Sequence, residues 1–425
     1  MKSRILTPTT LACALLLAAC NQPAQEPAAS AAADAPAPAT SPAATPAATA
    51  DPAAPTVDVE QLAERIVTQS AGVKEGEVVV ISGLSRDADL LEALAVAVRK
   101  QGAFPMLMYA SERLSKRLFF DVPAKFDSQV DPAGLAMAKV AKVMINVGNA
   151  QTVNLFEGAD PARMAARGEA GMKVGEAFRA AGIRSVDLGN GLYPTSWRAE
   201  RFGLDQAALA KMFWDGVNVD YTQLQQQADG LRAKLGSVRD VHVTHPNGTD
   251  IKFSIAGRKV VSSDGLISEA DRKAGGAALS VYLPAGEVMT SAVRGSANGK
   301  LVQATNFYRD KPVDNLVLEF KDGKLVSMTG AGAGFADLKA EYDAVKMAGK
   351  DEFGAFDLGI NPNIQLPAEA KVGNWVPAGM VTLGVGNDTW AGGDNNVPFS
   401  QDVHLAGATV TVDGATLVDK GQLKP

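Results

Sequence analysis

Hydrophobic positions along this chain of 425 residues fall into two regimes. In the first, continuous apolar runs alternate with helical stripes. Glu77 to Ser82 is a β-branched run bounded by Gly76 and Gly83. Asp87 to Gln101 then places Leu91, Leu94, Ala95 and Val98 on one stripe that stops at Gly102. Phe104 to Tyr109, Ala141 to Val147 and Ile183 to Leu188 repeat the strand signal. Asp160 and Pro161 open a helix between the last two as N-cap and first-turn proline. Repeated βα units with continuous apolar strands predict a parallel sheet covered on both faces, hence a doubly wound α/β domain over residues 57–235.

Beyond residue 235 the period shortens to strand alternation with turn chemistry between the runs. Val241 to Thr244 and Asp250 to Ala256 flank Asn247-Gly248. Leu316 to Phe320 and Lys324 to Met328 flank Asp322-Gly323, and Val410 to Val412 and Thr416 to Val418 flank Asp413-Gly414. These are hairpin signals. They predict a β-rich α+β domain over residues 236–425, with Ala336 to Met347 as its clearest helix.

The N-terminal end follows neither regime. Lys2 and Arg4 precede an apolar stretch from Leu11 to Ala19 that closes on Leu17-Ala18-Ala19-Cys20, the arrangement of a secretory signal over residues 1–19. The tetrapeptide resembles the bacterial lipobox. That resemblance implies lipidation of Cys20 and a stable anchor of more than two acyl chains. Asn21, in place of an Asp, implies the outer membrane rather than the inner. The other cysteine, Cys13, lies inside the removed peptide, so the mature chain carries no disulfide. Residues 20–56 form an Ala/Pro tether whose only charges are Glu26, Asp34 and Asp51; it has nothing with which to build a core. At about 3.1 Å per residue, such a spacer holds the body on the order of 100 Å from the lipid. The expected location is the bacterial envelope, with the body periplasmic and the lipid as its only membrane contact.

A net charge of −6 and a pI near 5.3 argue against a nucleic-acid partner. Gly330-Ala331-Gly332-Ala333-Gly334 precedes a helix but follows a hairpin strand, so it reads as a strand-to-helix connection and not as a nucleotide loop. No Gly-x-Ser-x-Gly elbow occurs, and His242 and His245 beside a hairpin turn read as exposed strand residues.

The informative stretches come in order: Leu283-Pro284-Ala285-Gly286-Glu287-Val288-Met289-Thr290, then Phe356-Asp357-Leu358-Gly359-Ile360-Asn361-Pro362-Asn363, then Val381-Thr382-Leu383-Gly384, and finally Gly392-Gly393-Asp394-Asn395 with Asp402-Val403-His404-Leu405. This set resembles the aminopeptidase T family of metallo-aminopeptidases. The resemblance implies an α/β N-terminal domain, a β-rich C-terminal domain carrying two divalent metals, and cleavage of N-terminal residues from peptides. It also implies a homodimer.

Carried over residue by residue, the family's first carboxylate falls on Glu287 and its second on Asp357. Its histidine falls on Thr382, a poor substitute for an imidazole as a zinc ligand. Its His-x-Asp pair has two registers here: one keeps His404 and puts Ala406 at the acidic position, the other keeps Asp402 and puts Ser400 at the imidazole position. Asp402 and His404 still share one face of a strand. Glu287, Asp357, Asp402 and His404 are therefore the candidate ligands, enough for one divalent ion (zinc, cobalt or manganese) rather than two, with Glu352 as candidate general base. The competing reading is a silent peptide-binding lipoprotein with a degenerate site.

Overall fold

The computed structural model describes residues 58–424. Cys20, the signal and the whole tether lie outside the described residues.

Four strands and their helices come first: β1 (Val78–Leu84), β2 (Phe104–Ala110), β3 (Ala141–Val147) and β4 (Arg184–Leu188). Next are β5 (Asp240–Thr244), β6 (Asp250–Ser254), β7 (Val260–Ser263), β8 (Ser280–Leu283) and β9 (Glu287–Ser291). Three long strands follow, β10 (Asn298–Tyr308), β11 (Lys311–Lys321) and β12 (Lys324–Ala331). The last six are β13 (Phe353–Gly359), β14 (Val381–Gly386), β15 (Ser400–Leu405), β16 (Thr409–Val412), β17 (Ala415–Asp419) and β18 (Gln422–Leu423).

A five-stranded sheet of order β2-β1-β3-β4-β8 is parallel throughout. Its fifth strand comes from beyond residue 235, so this sheet is completed by the second half of the chain. An eight-stranded antiparallel sheet, β12-β11-β10-β6-β5-β16-β17-β18, and a five-stranded antiparallel sheet, β15-β14-β13-β9-β7, make up the rest. One apolar core links all three, from Ile81 and Leu94 through Phe253 to Phe356 and Val410. Among the described residues no helix is long and apolar enough to cross a membrane.

Local chemistry explains the element ends. The Asp160 side chain accepts from the Ala162 amide and Pro161 sits in the first turn, starting the helix Pro161–Ala180. Asp322-Gly323 and Asp413-Gly414 both take positive φ, as tight hairpins require. Asn247-Gly248 works differently: the Asn247 side chain accepts from the Thr249 amide, an Asx turn inside a longer loop. The glycine run between β12 and the helix Ala333–Ala344 is required by a close approach of backbones. A Cβ at Gly332 would lie 2.4 Å from the Pro312 carbonyl oxygen, and one at Gly334 2.3 Å from that of Lys311.

The parallel sheet departs from the expected full cover at one place. β2 is an edge strand, and Phe104, Leu107 and Tyr109 on it are about half exposed or more (55%, 47% and 69%). Only β1 pairs with it among the described residues.

Candidate active site

The candidate ligands gather on the last antiparallel sheet, and strand register decides which way they face. Glu287 opens β9 opposite Gly359 of β13. Asp357 lies two residues back on β13, opposite Thr382 of β14, and Thr382 lies opposite His404 of β15. Asp402, two residues from His404, sits opposite Gly384. Directly opposed residues share a face, as do residues two apart on a strand. Glu287, Asp357, Thr382, Asp402 and His404 therefore all project from the same side.

Asp402 is two strands across from Asp357 and two residues along, so their backbones stand about 12 Å apart at about 4.8 Å per strand and about 3.3 Å per residue. Gly384 closes that gap. A Cβ built on it would lie 2.7 Å from Asp402 Oδ1, so the acidic side chain leans across the space that a larger residue on β14 would fill. Asp357 feels the result. Burial, then Glu287, then Asp402 push its carboxyl well above the ordinary range. It is fully buried, and neither of its oxygens makes a hydrogen bond of ordinary geometry.

His404 is held from three directions. Its Nδ1 lies 2.9 Å from Thr382 Oγ1, the Trp375 ring stands edge-on at 4.6 Å, and Gly373 packs so closely that a Cβ there would lie 2.3 Å from His404 Cβ. Burial pushes the imidazole down to about 4, so it is neutral at pH 7. Its Nδ1 is engaged by a hydroxyl.

Asparagines fix the rim, and nothing in their spacing announced it. Asn190, just past β4, donates to the Pro284 carbonyl at 3.1 Å and reaches Glu287 Oε2 at 3.4 Å. Buried Asn361 donates to the carbonyls of Ala285 and Gly216, tying the loop after β13 to the loop before β9. Gly286, at φ 131°, passes so near that a Cβ would sit 2.8 Å from the Asn361 nitrogen. The Leu-Gly-Ile-Asn-Pro motif thus shapes the loop that presents Glu287.

Glu352 does not join the group. It precedes β13, five residues from Asp357, which is about 17 Å along a strand. Its carboxylate pairs with Lys324 at 2.7 Å. The structure thus places it apart from the four candidate ligands. His242 bonds to Asp250 at 2.8 Å on the eight-stranded sheet, partly exposed as expected, and His245 bonds to the Ala406 carbonyl.

The donor types on this face are those that a divalent cation takes. Three carboxylates and an imidazole share a face, and the oxygens of the fully buried Asp357 make no hydrogen bond of ordinary geometry. Among the described residues no three His, Cys, Asp or Glu side chains are drawn together at ion-holding distances. Thr382 occupies the row between Asp357 and His404.

Comparison with known proteins now bears on this geometry. The profile of the thermophilic metalloprotease family M29 matches residues 56–341. The chain belongs to that family. Membership makes it a metal-dependent peptidase by family, acting on peptide substrate. The matched stretch includes Glu287 and ends before Asp357, Asp402 and His404. Among solved structures, wild-type AmpT from Thermus thermophilus superposes with a TM-score of 0.63 at 16% identity, covering 86% of this chain and 99% of its own. A 2,5-dihydroxypyridine dioxygenase from Pseudomonas putida gives 0.54 at 14% identity, over 86% and 96%. These likenesses are of fold. Comparison with curated proteins gives no match.

Proposed function

We propose that this protein is an envelope-anchored aminopeptidase that removes N-terminal residues from peptides with one divalent ion held by Glu287, Asp357, Asp402 and His404. The observation that carries the reading is the buried, hydrogen-bond-deficient Asp357 between two further carboxylates. Zinc, cobalt or manganese is the ion we assign. Bound there, it supplies a water of lowered pKa and polarises the scissile carbonyl.

The chain's own residues do the rest. The acidic face attracts the α-ammonium of a peptide. Neutral His404 stands ready as a nitrogen donor, oriented by Thr382. Asn190 and Asn361 keep Glu287 in place from the loop side. Cys20, lipidated after removal of residues 1–19, and the tether to residue 56 set this site in the periplasm on the outer membrane. Nucleic acid has no part in the proposal, and a homodimer is its expected assembly.

The test is metal-dependent hydrolysis of aminoacyl chromogenic substrates. Activity should appear when the ion is added to stripped protein and vanish in Glu287→Ala. Cys20→Ser should remain uncleaved and carry no lipid by mass spectrometry; an unlipidated wild-type N-terminus would refute the anchor. One observation favours a second reading, a silent peptide-binding protein: the Thr382 hydroxyl stands where the family resemblance calls for an imidazole. If wild-type protein takes up no ion, that reading replaces the first. If it binds the ion yet cuts nothing, activity gained in Thr382→His would identify a decayed peptidase.

A further inference from the structure

Arg198 is an anomaly of charge. It is 6% exposed, and among the described residues no carboxylate pairs with it. Arg184, equally buried, has Glu77 as partner, and Arg201 has Asp310. Arg198 has one side-chain hydrogen bond, from Nη1 to the Tyr193 carbonyl at 3.0 Å. Its guanidinium lies 4.4 Å from the centroid of the Trp197 ring, and Arg201 approaches the same ring at 4.7 Å. Burial and the neighbouring Arg201 charge push its pKa down to about 10. A buried charge without a counter-ion is costly, and an incoming anion would compensate it. Beside it the indole N–H of Trp197 is buried with no acceptor. Two adjacent residues, one half-buried and one buried, thus have unspent donor capacity.

The position of this pair indicates what the anion is. The segment from Asn190 to Arg201 is attached to the acidic face at both ends. Asn190 reaches Glu287 at 3.4 Å, and Gly191 packs against Asn374 and Trp375, whose ring meets His404. At the far end the Arg201 carbonyl accepts from the Lys371 amide at 2.9 Å, within the stretch that packs on His404. The charges acting on Arg198 are Arg201 and Tyr193, whereas those acting on Asp357 are Glu287 and Asp402. They are two separate electrostatic centres of opposite sign, joined by one short segment. A short unblocked peptide is a zwitterion with matching ends.

We propose that Arg198 and the indole N–H of Trp197 form a carboxylate site that receives the free C-terminus of a short peptide whose N-terminus lies at the acidic face. This rests on the aminopeptidase reading and narrows its substrate to short peptides with both termini free. A planar guanidinium suits a carboxylate, which it can bind through two parallel N–H groups.

The test compares trialanine with its C-terminal amide on the full-length protein. In the first arm, metal-stripped protein is melted with each peptide and with sulfate at equal concentration. Trialanine should raise the melting temperature, whereas the amide and sulfate should not. In the second arm, the metal-loaded protein should show a KM at least tenfold lower for trialanine than for the amide. Arg198→Met should collapse that ratio toward one, and Arg198→Lys should restore part of it. Equal behaviour of acid and amide in wild-type protein overturns the proposal without any variant, as does the lack of stabilisation by trialanine. Stabilisation by sulfate to the same degree reduces the site to a general anion trap and overturns it too. Should no substrate be hydrolysed at all, the aminopeptidase reading falls, while acid-selective binding in the first arm would still establish the site.

Discussion

Replacing Asp357 by Asn should make the metal-free protein more stable, the reverse of what is expected for a buried residue in a well-packed strand. The side chain is fully buried, neither oxygen is satisfied, and its charge is opposed by Glu287 and Asp402. Asn keeps the volume and cannot ionise. A carboxyl whose pKa is raised on folding costs about 1.4 kcal/mol per unit of rise at a pH above its unfolded value, so relief of about 1–3 kcal/mol is expected at pH 7. For a body of about 370 residues the unfolding entropy is about 0.8 kcal/mol/K. The stripped variant should therefore melt roughly 1–4 °C above stripped wild type. The ion acts the other way round: at a hundred times its dissociation constant it adds about 2.7 kcal/mol to wild type, or roughly 3 °C on the same entropy. Asp357→Asn should lose most of that rise. Differential scanning calorimetry with and without zinc or manganese decides the matter. A stripped variant that melts below wild type, or one that keeps the full ion-dependent rise, would refute the carboxylate-repulsion argument.

Gly384→Ala should drive Asp402 away from Asp357, since its Cβ would meet Asp402 Oδ1 at 2.7 Å. Overpacking of this kind costs about 1–3 kcal/mol, and the ion should bind at least tenfold more weakly by calorimetric titration; unchanged affinity would show that Asp402 is not a ligand. Glu341, away from this face, tests the electrostatics independently, because burial raises its carboxyl to about 7 from 4.5. Folding then favours the protonated form, so this contribution to stability is complete below pH 4.5 and is lost as pH rises through 7, by at most about 3 kcal/mol. Arg309, itself mostly exposed, offsets little of this. Denaturant melts of Glu341→Gln from pH 5 to 8 should show a flatter profile than wild type, and parallel profiles would contradict the assignment.

Much of the architecture is written in local signals, which is why it can be read without coordinates. The apolar runs at Val78–Leu84 and Ala141–Val147, the proline-capped helix at Pro161 and the Asp-Gly hairpins each depend on residues within a turn or two of one another. Non-local pairing carries no such mark. β8 is four residues long, and nothing in Ser280–Leu283 says that it will extend a sheet begun two hundred residues earlier. Likewise the exposure of Phe104 and Tyr109 follows from β2 standing at an edge, which only the strand order reveals. The site divides along the same line. Glu287, Asp357, Asp402 and His404 were found through motif resemblance, and register puts them on one face. The room that Gly384 leaves for Asp402, the clamps by Asn190 and Asn361, and the missing counter-ion of Arg198 arise from contacts between distant segments.

Family and site rest on different parts of this chain. The matched stretch ends at residue 341, whereas β13, β14 and β15, which carry all the candidate donors except Glu287, begin at residue 353. Ancestry therefore accounts for the scaffold more firmly than for the ligands. The scaffold alone does not choose a reaction, since the solved structures sharing this fold include both AmpT and a dioxygenase. What this chain itself contributes is the donor row across these strands. Here that row runs carboxylate, hydroxyl, imidazole from Asp357 through Thr382 to His404, with a second carboxylate leaning in over a glycine. A hydroxyl in the middle of the row removes a nitrogen donor, ties up Nδ1 of the remaining imidazole and leaves oxygen as the majority ligand. Such a set moves ion preference from zinc, which favours nitrogen and sulfur, toward oxygen-loving ions such as manganese. On the proposed reading, the position to test is therefore on β14, where Thr382 stands between the acidic side of the sheet and its histidine.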